Sequence, residues 1–158
     1  MMALYDMPGH LIRRMNQISV AVFLQEAQRA GFDLTPVQFA ALYTIAEHEA
    51  IDQATLASLI AYDRVTIGGV VDRLVNKGLV RREISSRDRR ARELYLTGEG
   101  RTTLAAMMPV VAGIQRRMLD SLSEAERASL TALLKKATAA ANGLARAPLG
   151  QRPQDAEQ

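Results

Sequence analysis

Residues 52–97 read DQATLASLIAYDRVTIGGVVDRLVNKGLVRREISSRDRRARELYLT, and this stretch decides the fold. Asp52 stands where an N-cap is needed. The short helix behind it runs from Gln53 to Ala61, with Leu56, Leu59 and Ile60 turned inward. Tyr62-Asp63 interrupts it. Asp63 is a second N-cap, opening a helix from Arg64 to about Lys77 in which Val65, Val70, Val71 and Leu74 are apolar. Gly78 stops that helix. The period then changes. Leu79 to Ile84 reads as a strand, Ser85 to Arg90 as a polar turn, and Ala91 to Leu96 as a return strand. A short helix, a tight turn, a capped second helix and a basic hairpin compose a winged helix-turn-helix.

Helices flank this centre on both sides. From Gly9 to Ala30, Leu11, Ile12, Met15, Ile18, Val22 and Phe23 recur at three- and four-residue spacing. Thr35-Pro36-Val37-Gln38 is a capping box with Pro at the first helical position. Its helix is expected to reach Glu47 or His48 and to bury Phe39, Leu42, Tyr43 and Ile45 or Ala46. Thr97 caps a long helix, Gly98 to Leu122, with Leu104, Met107, Met108, Val111, Ile114 and Met118 as its stripe. Ser123-Glu124-Ala125-Glu126 is a further capping box, and the helix behind it turns Leu130, Leu133, Leu134 and Ala137 inward. The fold class is mainly α with a small β-hairpin wing. Residues 1–32 form a dimerisation helix, 33–106 the winged helix-turn-helix domain, 107–145 further dimerisation helices, and 146–158 a disordered tail.

Composition narrows the function. The chain has 158 residues, 48% of them apolar, and no cysteine. Disulfides, thiolate metal sites and thiol redox sensing are excluded. His10 and His48 lie far apart, so no metal site is expected, and no cofactor. No apolar run approaches the roughly 20 residues that span a bilayer, and Met1 to Arg14 holds no apolar signal core; a cytoplasmic protein is expected. There is no Walker loop, no glycine-rich turn after a strand and no interpretable catalytic triad, so an enzyme is not expected.

Charge is concentrated where the hairpin lies. The net charge is +3, yet residues 73–92 hold eight bases and two acids. A charge run is often just a solvated face. Behind a helix-turn-helix it reads as a surface for duplex DNA. A major groove about 12 Å wide admits one helix, entered by its N-terminal end. The candidate DNA contacts are Thr55, Arg64, Thr66, Ile67, Arg73, Arg87, Asp88, Arg89 and Arg90. An arginine at the hairpin tip suits the narrow minor groove. Gly68 and Gly69 weaken the second helix by roughly 1 kcal/mol each if exposed. Close approach to DNA and tight packing inside the protein both account for them.

The residues Leu34-Thr35-Pro36-Val37-Gln38-Phe39, Thr55-Leu56-Ala57, Val70-Val71-Asp72-Arg73-Leu74, Lys77 to Arg82, Asp88-Arg89-Arg90 and Leu94 to Thr97 with Gly100 occur in one order. In these the chain resembles the MarR (multiple antibiotic resistance regulator) family from about Gly9 to Asn142. The resemblance implies a homodimer built from the first helix and the last two. It implies repression at a pseudo-palindromic operator, and a ligand held between the dimerisation and DNA-binding regions. It also implies a wing whose Asp-x-Arg pattern, Asp88 and Arg90 here, places Arg90 in the minor groove with Asp88 positioning it.

For the effector, His10, Arg14, Gln17 and Ile18 share one face of the first helix at 3.6 residues per turn. With Phe39 and Tyr43 they form the candidate ligand set, suited to a small aromatic or heteroaromatic acid or its coenzyme A thioester. The chain also resembles the aromatic-acid-catabolism subset of the family. A solvated Arg13 and Arg14 beside a capping His10 is the bland alternative. Two other functions compete: a non-specific architectural DNA-binding protein without a ligand, and a helical protein-interaction module.

Overall fold

The computed structural model describes residues 3–48, 50–85 and 92–150. A 3-10 turn, Leu4–Asp6, precedes α1, Pro8–Arg29. Pro8 sits at the first helical position, where its missing N–H costs nothing. Helix α2, Pro36–Glu47, starts from a complete capping box. The Gln38 amide donates to Thr35 Oγ1 at 3.3 Å and the Thr35 amide to Gln38 Oε1 at 3.2 Å.

Helix α3, Gln53–Leu59, and helix α4, Arg64–Asn76, turn through 111° at the break between them. That angle belongs to a helix-turn-helix. The turn is closed by the Tyr62 amide on the Ala57 carbonyl, 3.0 Å, and the Ala61 amide on the Ser58 carbonyl, 3.3 Å. Ala61 is left-handed, with φ 55°. This is why α3 ends at Leu59 and not at Ala61 as the sequence suggested.

Strands β2, Val80–Ile84, and β3, Arg92–Leu96, pair antiparallel with Val80 opposite Leu96 and Ile84 opposite Arg92. A third strand, β1, Ile51–Asp52, lies on the other side of β3, giving the order β1-β3-β2. Two residues carry no alternation, so pattern reading had no means to find β1.

Helix α5, Gly98–Met118, passes through Pro109, and α6, Glu124–Ala140, follows. Helix α5 stops short of the expected Leu122. The chain turns at residues 119–122, and Arg127 Nε donates to the Leu119 and Leu122 carbonyls at 3.0 and 2.9 Å, satisfying acceptors that a longer helix would have used.

The core gathers Leu42, Leu56, Ile67, Leu74, Leu94 and Met107, all fully buried, from α2 to α5 and β3. Helix α2 buries Gln38, Ala41, Leu42 and Ile45, spaced three and four apart. Tyr43 and Ala46 fall off this stripe and are exposed, correcting the expectation that Tyr43 is buried. Met108 is exposed for the same reason on α5. Helix α6 buries nothing in one chain, and Leu133 and Leu134, read as inward, are 64% and 47% exposed. The tail reading is corrected up to Gly150. Asn142 clasps the Leu149 amide and carbonyl at 2.8 and 2.9 Å, and the Gly150 amide reaches the Ser58 carbonyl of α3 at 2.9 Å. No single helix among the described residues is long and apolar enough to cross a membrane.

Candidate nucleic-acid interface

The two helices of the helix-turn-helix open in the same way. Asp52 Oδ1 accepts the amides of Ala54 and Thr55, both at 2.9 Å, and its Oδ2 takes the Thr55 hydroxyl at 2.5 Å. Asp63 Oδ1 accepts the Thr66 amide at 2.9 Å and its Oδ2 the Thr66 hydroxyl at 2.6 Å. The Thr66 hydroxyl and amide hold the Asp63 carboxyl below its ordinary range. At Asp52 partial burial pushes upward, but the Thr55 hydroxyl and the Thr55 and Ala54 amides outweigh it and the net shift is downward. Both carboxylates are therefore ionised at neutral pH and can only accept. Each threonine hydroxyl must be the donor, and each keeps its lone pairs and its methyl for whatever lies outside.

Helix α4 separates cleanly into two faces. Ile67, Val70, Val71 and Leu74 are buried at spacings of three, four and seven. Val65, Thr66, Gly69, Asp72 and Arg73 are exposed on the opposite face. This corrects one sequence reading. Ile67, chosen as a DNA contact, is completely buried and belongs to the core, whereas Val65, apolar as it is, is 87% exposed. The period counted from Val70 places Ile67 on the buried face. A Cβ added at Gly69 would meet nothing within 4 Å, so internal packing does not explain that glycine. At Gly68 it would meet Gln53 Nε2 at 3.4 Å, an ordinary contact with the neighbouring helix.

The basic stretch is not uniform either. Lys77 binds Asp33 Oδ2 at 2.9 Å and so ties the end of α4 to the start of α2. Arg82 pairs with Asp72 at 2.6 Å, and Arg81 pairs with Glu83 while lying 4.4 Å over the Tyr95 ring. Of these three cations, Arg82 braces the hairpin against α4, Arg81 joins the two strands of the hairpin, and Lys77 fastens α4 to the segment before α2. Arg64 and Arg73 are exposed at the two ends of α4 and have no ion pair among the described residues. Thr55 is likewise exposed, on α3. Arg87, Asp88, Arg89 and Arg90 lie outside the described residues.

The hairpin is anchored at its base by Thr97. Its hydroxyl donates to the Gly78 carbonyl at 2.6 Å and accepts the Gly100 amide at 3.0 Å, while its own amide binds the Leu79 carbonyl at 3.1 Å. A Cβ on Gly100 would collide with that same Leu79 carbonyl, so only glycine lets α5 begin here.

The ligand candidates divide into two groups. Phe39 and Tyr43 are joined, rings 6.3 Å apart, and Phe39 meets Phe23 of α1 at 6.0 Å. His10 and Phe23 lie roughly 140° apart around α1 at 3.6 residues per turn, so His10, Arg14, Gln17 and Ile18 face away from the Phe23 side. One chain alone does not bring the six together. Gln17 accepts from Arg13, not from Arg14, at 2.9 Å. His10 packs edge-on against Tyr5, and its Nε2 is buried with no hydrogen-bond partner. Two cavities of the single chain use other residues. One of about 410 Å³ between α1 and α5 contains Glu26 paired with both Arg29 and Arg117. One of about 340 Å³ is lined by Met15, Met118, Leu130 and Leu134.

Comparison with known proteins adds ancestry to this geometry. Residues 34–91 match the MarR family. The chain is 36% identical over 128 residues to the HTH-type transcriptional repressor NicR of Pseudomonas putida, covering 81% of this chain and 80% of that protein. Its fold is similar to BpsR of Bordetella bronchiseptica, a regulator whose DNA binding is governed by 6-hydroxynicotinic acid. There the TM-score is 0.81 and the identity 30%, over 87% of this chain and 97% of that one. It is similar also to the transcriptional repressor CouR bound to a 23-mer DNA duplex, with TM-score 0.79 and 28% identity, over 85% of this chain and 94% of that one.

Proposed function

The chain belongs to the MarR family, and from that premise we propose that it is a ligand-responsive transcriptional repressor. It acts as a homodimer at a pseudo-palindromic operator and is released by a small aromatic or heteroaromatic acid or its coenzyme A thioester. The observation that carries the proposal is the exposed face of α4, which presents Arg64, Thr66 and Arg73 at 111° to α3 beside a hairpin. A helix so mounted fits a major groove, and the hairpin falls beside it on the backbone. Arg87, Asp88, Arg89 and Arg90 of the wing complete the contacts, with Arg90 in the minor groove and Asp88 positioning it. Thr55 meets the backbone from α3. The proposal assigns no catalytic step, and the site of action is the cytoplasm.

The dimer follows from what one chain leaves uncovered. Leu11, Ile12, Met15 and Ile18 of α1 and Leu133 and Leu134 of α6 are exposed. A two-fold pair that buries them sets two copies of α4 against two half-sites about 34–36 Å apart, so the operator repeats the symmetry of the protein.

The acid is chosen by chemistry on α1. Arg14 supplies a fork for a carboxylate, Gln17 an amide and Ile18 an apolar wall. The His10 imidazole nitrogen, buried and unpartnered in the single chain, supplies a polar group waiting for a ligand or for the second subunit. Because these residues face away from Phe39 and Tyr43 of their own chain, the proposal places the effector site at the subunit interface. The similarity to a regulator governed by 6-hydroxynicotinic acid supports a heteroaromatic acid. A mobility shift on the protein's own upstream DNA, repeated with benzoic, hydroxybenzoic and hydroxynicotinic acids, tests both halves. A shift that one acid abolishes in the wild type but not in Arg14→Ala is expected. A shift indifferent to every acid, with no heat of binding in calorimetry, removes the effector reading and leaves an architectural protein.

A further inference from the structure

We infer that Val65 reads the 5-methyl group of a thymine in the major groove of the operator. The inference rests on α4 being the recognition helix and names a contact within it. Isolated exposed apolar residues are ordinary on protein surfaces, but Val65 has a particular setting. It stands in the first turn of α4, between Arg64 and Thr66, and 87% of it is open to solvent. The N-terminal turn is the part of a recognition helix that reaches base edges. A valine in a helix keeps one rotamer, so seating it in a groove costs little conformational entropy.

Its neighbours clear the way. Gly69 lies one turn along the same face, and no side chain there holds the groove floor away. Thr66 adds a methyl beside Val65. Its hydroxyl proton is committed to Asp63 Oδ2 at 2.6 Å, so its oxygen is left as an acceptor. The first turn of α4 thus presents methyl groups and one acceptor between the two arginines. The only apolar group on the major-groove edge of any base pair is the thymine methyl, and the donors that fit an acceptor are the amino groups of adenine and cytosine. An A·T pair carries both, and its thymine meets Val65.

Deoxyuridine differs from thymidine by that methyl alone, which supplies the test. The wild-type protein selects its tightest duplex from a randomised 24-base-pair pool. Each thymine of one half-site is then replaced singly by deoxyuridine. One position is expected at which the wild type loses about fourfold in affinity, the worth of one buried methyl-sized group. Val65→Ala binds the thymine duplex more weakly and shows no further loss at that position, whereas Val65→Ile retains the loss. A flat deoxyuridine scan in the wild type, or an undiminished loss in Val65→Ala, overturns the inference while leaving operator recognition intact. A pool that yields no enriched sequence overturns recognition itself and the inference with it. Because Val65 is so exposed and alanine is the better helix former, the melting temperature of Val65→Ala is expected to be no lower than that of the wild type, which keeps a folding defect out of the comparison.

Discussion

Asp63 holds Thr66 at two points, its amide at 2.9 Å and its hydroxyl at 2.6 Å. One carboxylate therefore both starts α4 and orients an exposed side chain of its first turn. Asp52 does the same for Thr55 on the preceding helix. The cap that starts each helix and the exposed threonine of its first turn are the same hydrogen-bonded pair.

Asp63→Ala is expected to lower the urea midpoint and to weaken operator binding, since the first turn of α4 loses its cap. The pH dependence identifies the cause. The folded-state pKa lies below the ordinary 3.8. The carboxylate's contribution is thus complete above 3.8 and is lost as pH falls through the lowered value. The stability gap between wild type and variant is expected to be constant from neutral pH down to about 5 and to close in strong acid. A gap unchanged across the whole range would show that ionised Asp63 does not cap α4.

Gly100→Ala tests the base of the wing. The added methyl meets the Leu79 carbonyl, which is backbone and already holds the Thr97 amide. Nothing flexible is available to yield. A loss of roughly 1–3 kcal/mol is expected, the usual cost of overpacking. Because β2 begins at Val80, next to the displaced carbonyl, amide exchange in β2 and β3 is expected to rise more than in α1. Wild-type stability in this variant would mean that α5 can shift without cost.

Much of this was legible beforehand, for local reasons. Every cap from Thr35 to Ser123 is a side chain bonding its own backbone two or three residues on, so sequence neighbours suffice to show it. The winged helix-turn-helix was legible because its elements follow one another directly. What escaped depended on distance or on phase. Strand β1 exists only because β3, more than forty residues away, pairs with Ile51 and Asp52. Ile67 was placed on the wrong face because a helix of thirteen residues with six apolar ones admits two phases until its partner is known. Leu133 and Leu134 were read as inward, but nothing among the described residues of one chain covers them. The ligand set was chosen from one face of α1, and sequence does not say that Phe39 lies behind the other.

Arg90→Ala separates the wing from the helix. An arginine in the minor groove displaces counterions, so its removal is expected to reduce the slope of log affinity against log salt by about one. Random DNA and operator are expected to lose affinity to a similar degree. Thr66→Ala should instead cost roughly 1–3 kcal/mol at one base pair and leave the slope alone. Salt titration by fluorescence anisotropy measures both. An unaltered slope in Arg90→Ala would remove this arginine from the interface.

Ala61→Gly is expected to stabilise the protein. Ala61 occupies the left-handed turn between α3 and α4 at φ 55°, where a side chain is strained and glycine is not. Relief of strain exceeds the added freedom of the unfolded chain, for a net gain of about 0.5–1 kcal/mol in urea unfolding. The two closing hydrogen bonds are retained, so operator affinity is expected to hold. A net loss of stability would show that the turn is relaxed with alanine.

Gly69→Ala should move stability and binding in opposite directions. Glycine within an exposed helix face costs about 0.8–1 kcal/mol relative to alanine, and the added methyl has open space around it in the free protein. The unfolding midpoint therefore rises. In the complex the same methyl lies between the backbone of α4 and the groove floor, on the face shared by Val65, Thr66 and Arg73. It lifts the helix away from the bases, so affinity for the operator falls while affinity for random DNA, held by phosphates, changes little. A variant that is more stable and binds its operator undiminished would show that the groove floor never comes near this turn, and the glycine would need another explanation.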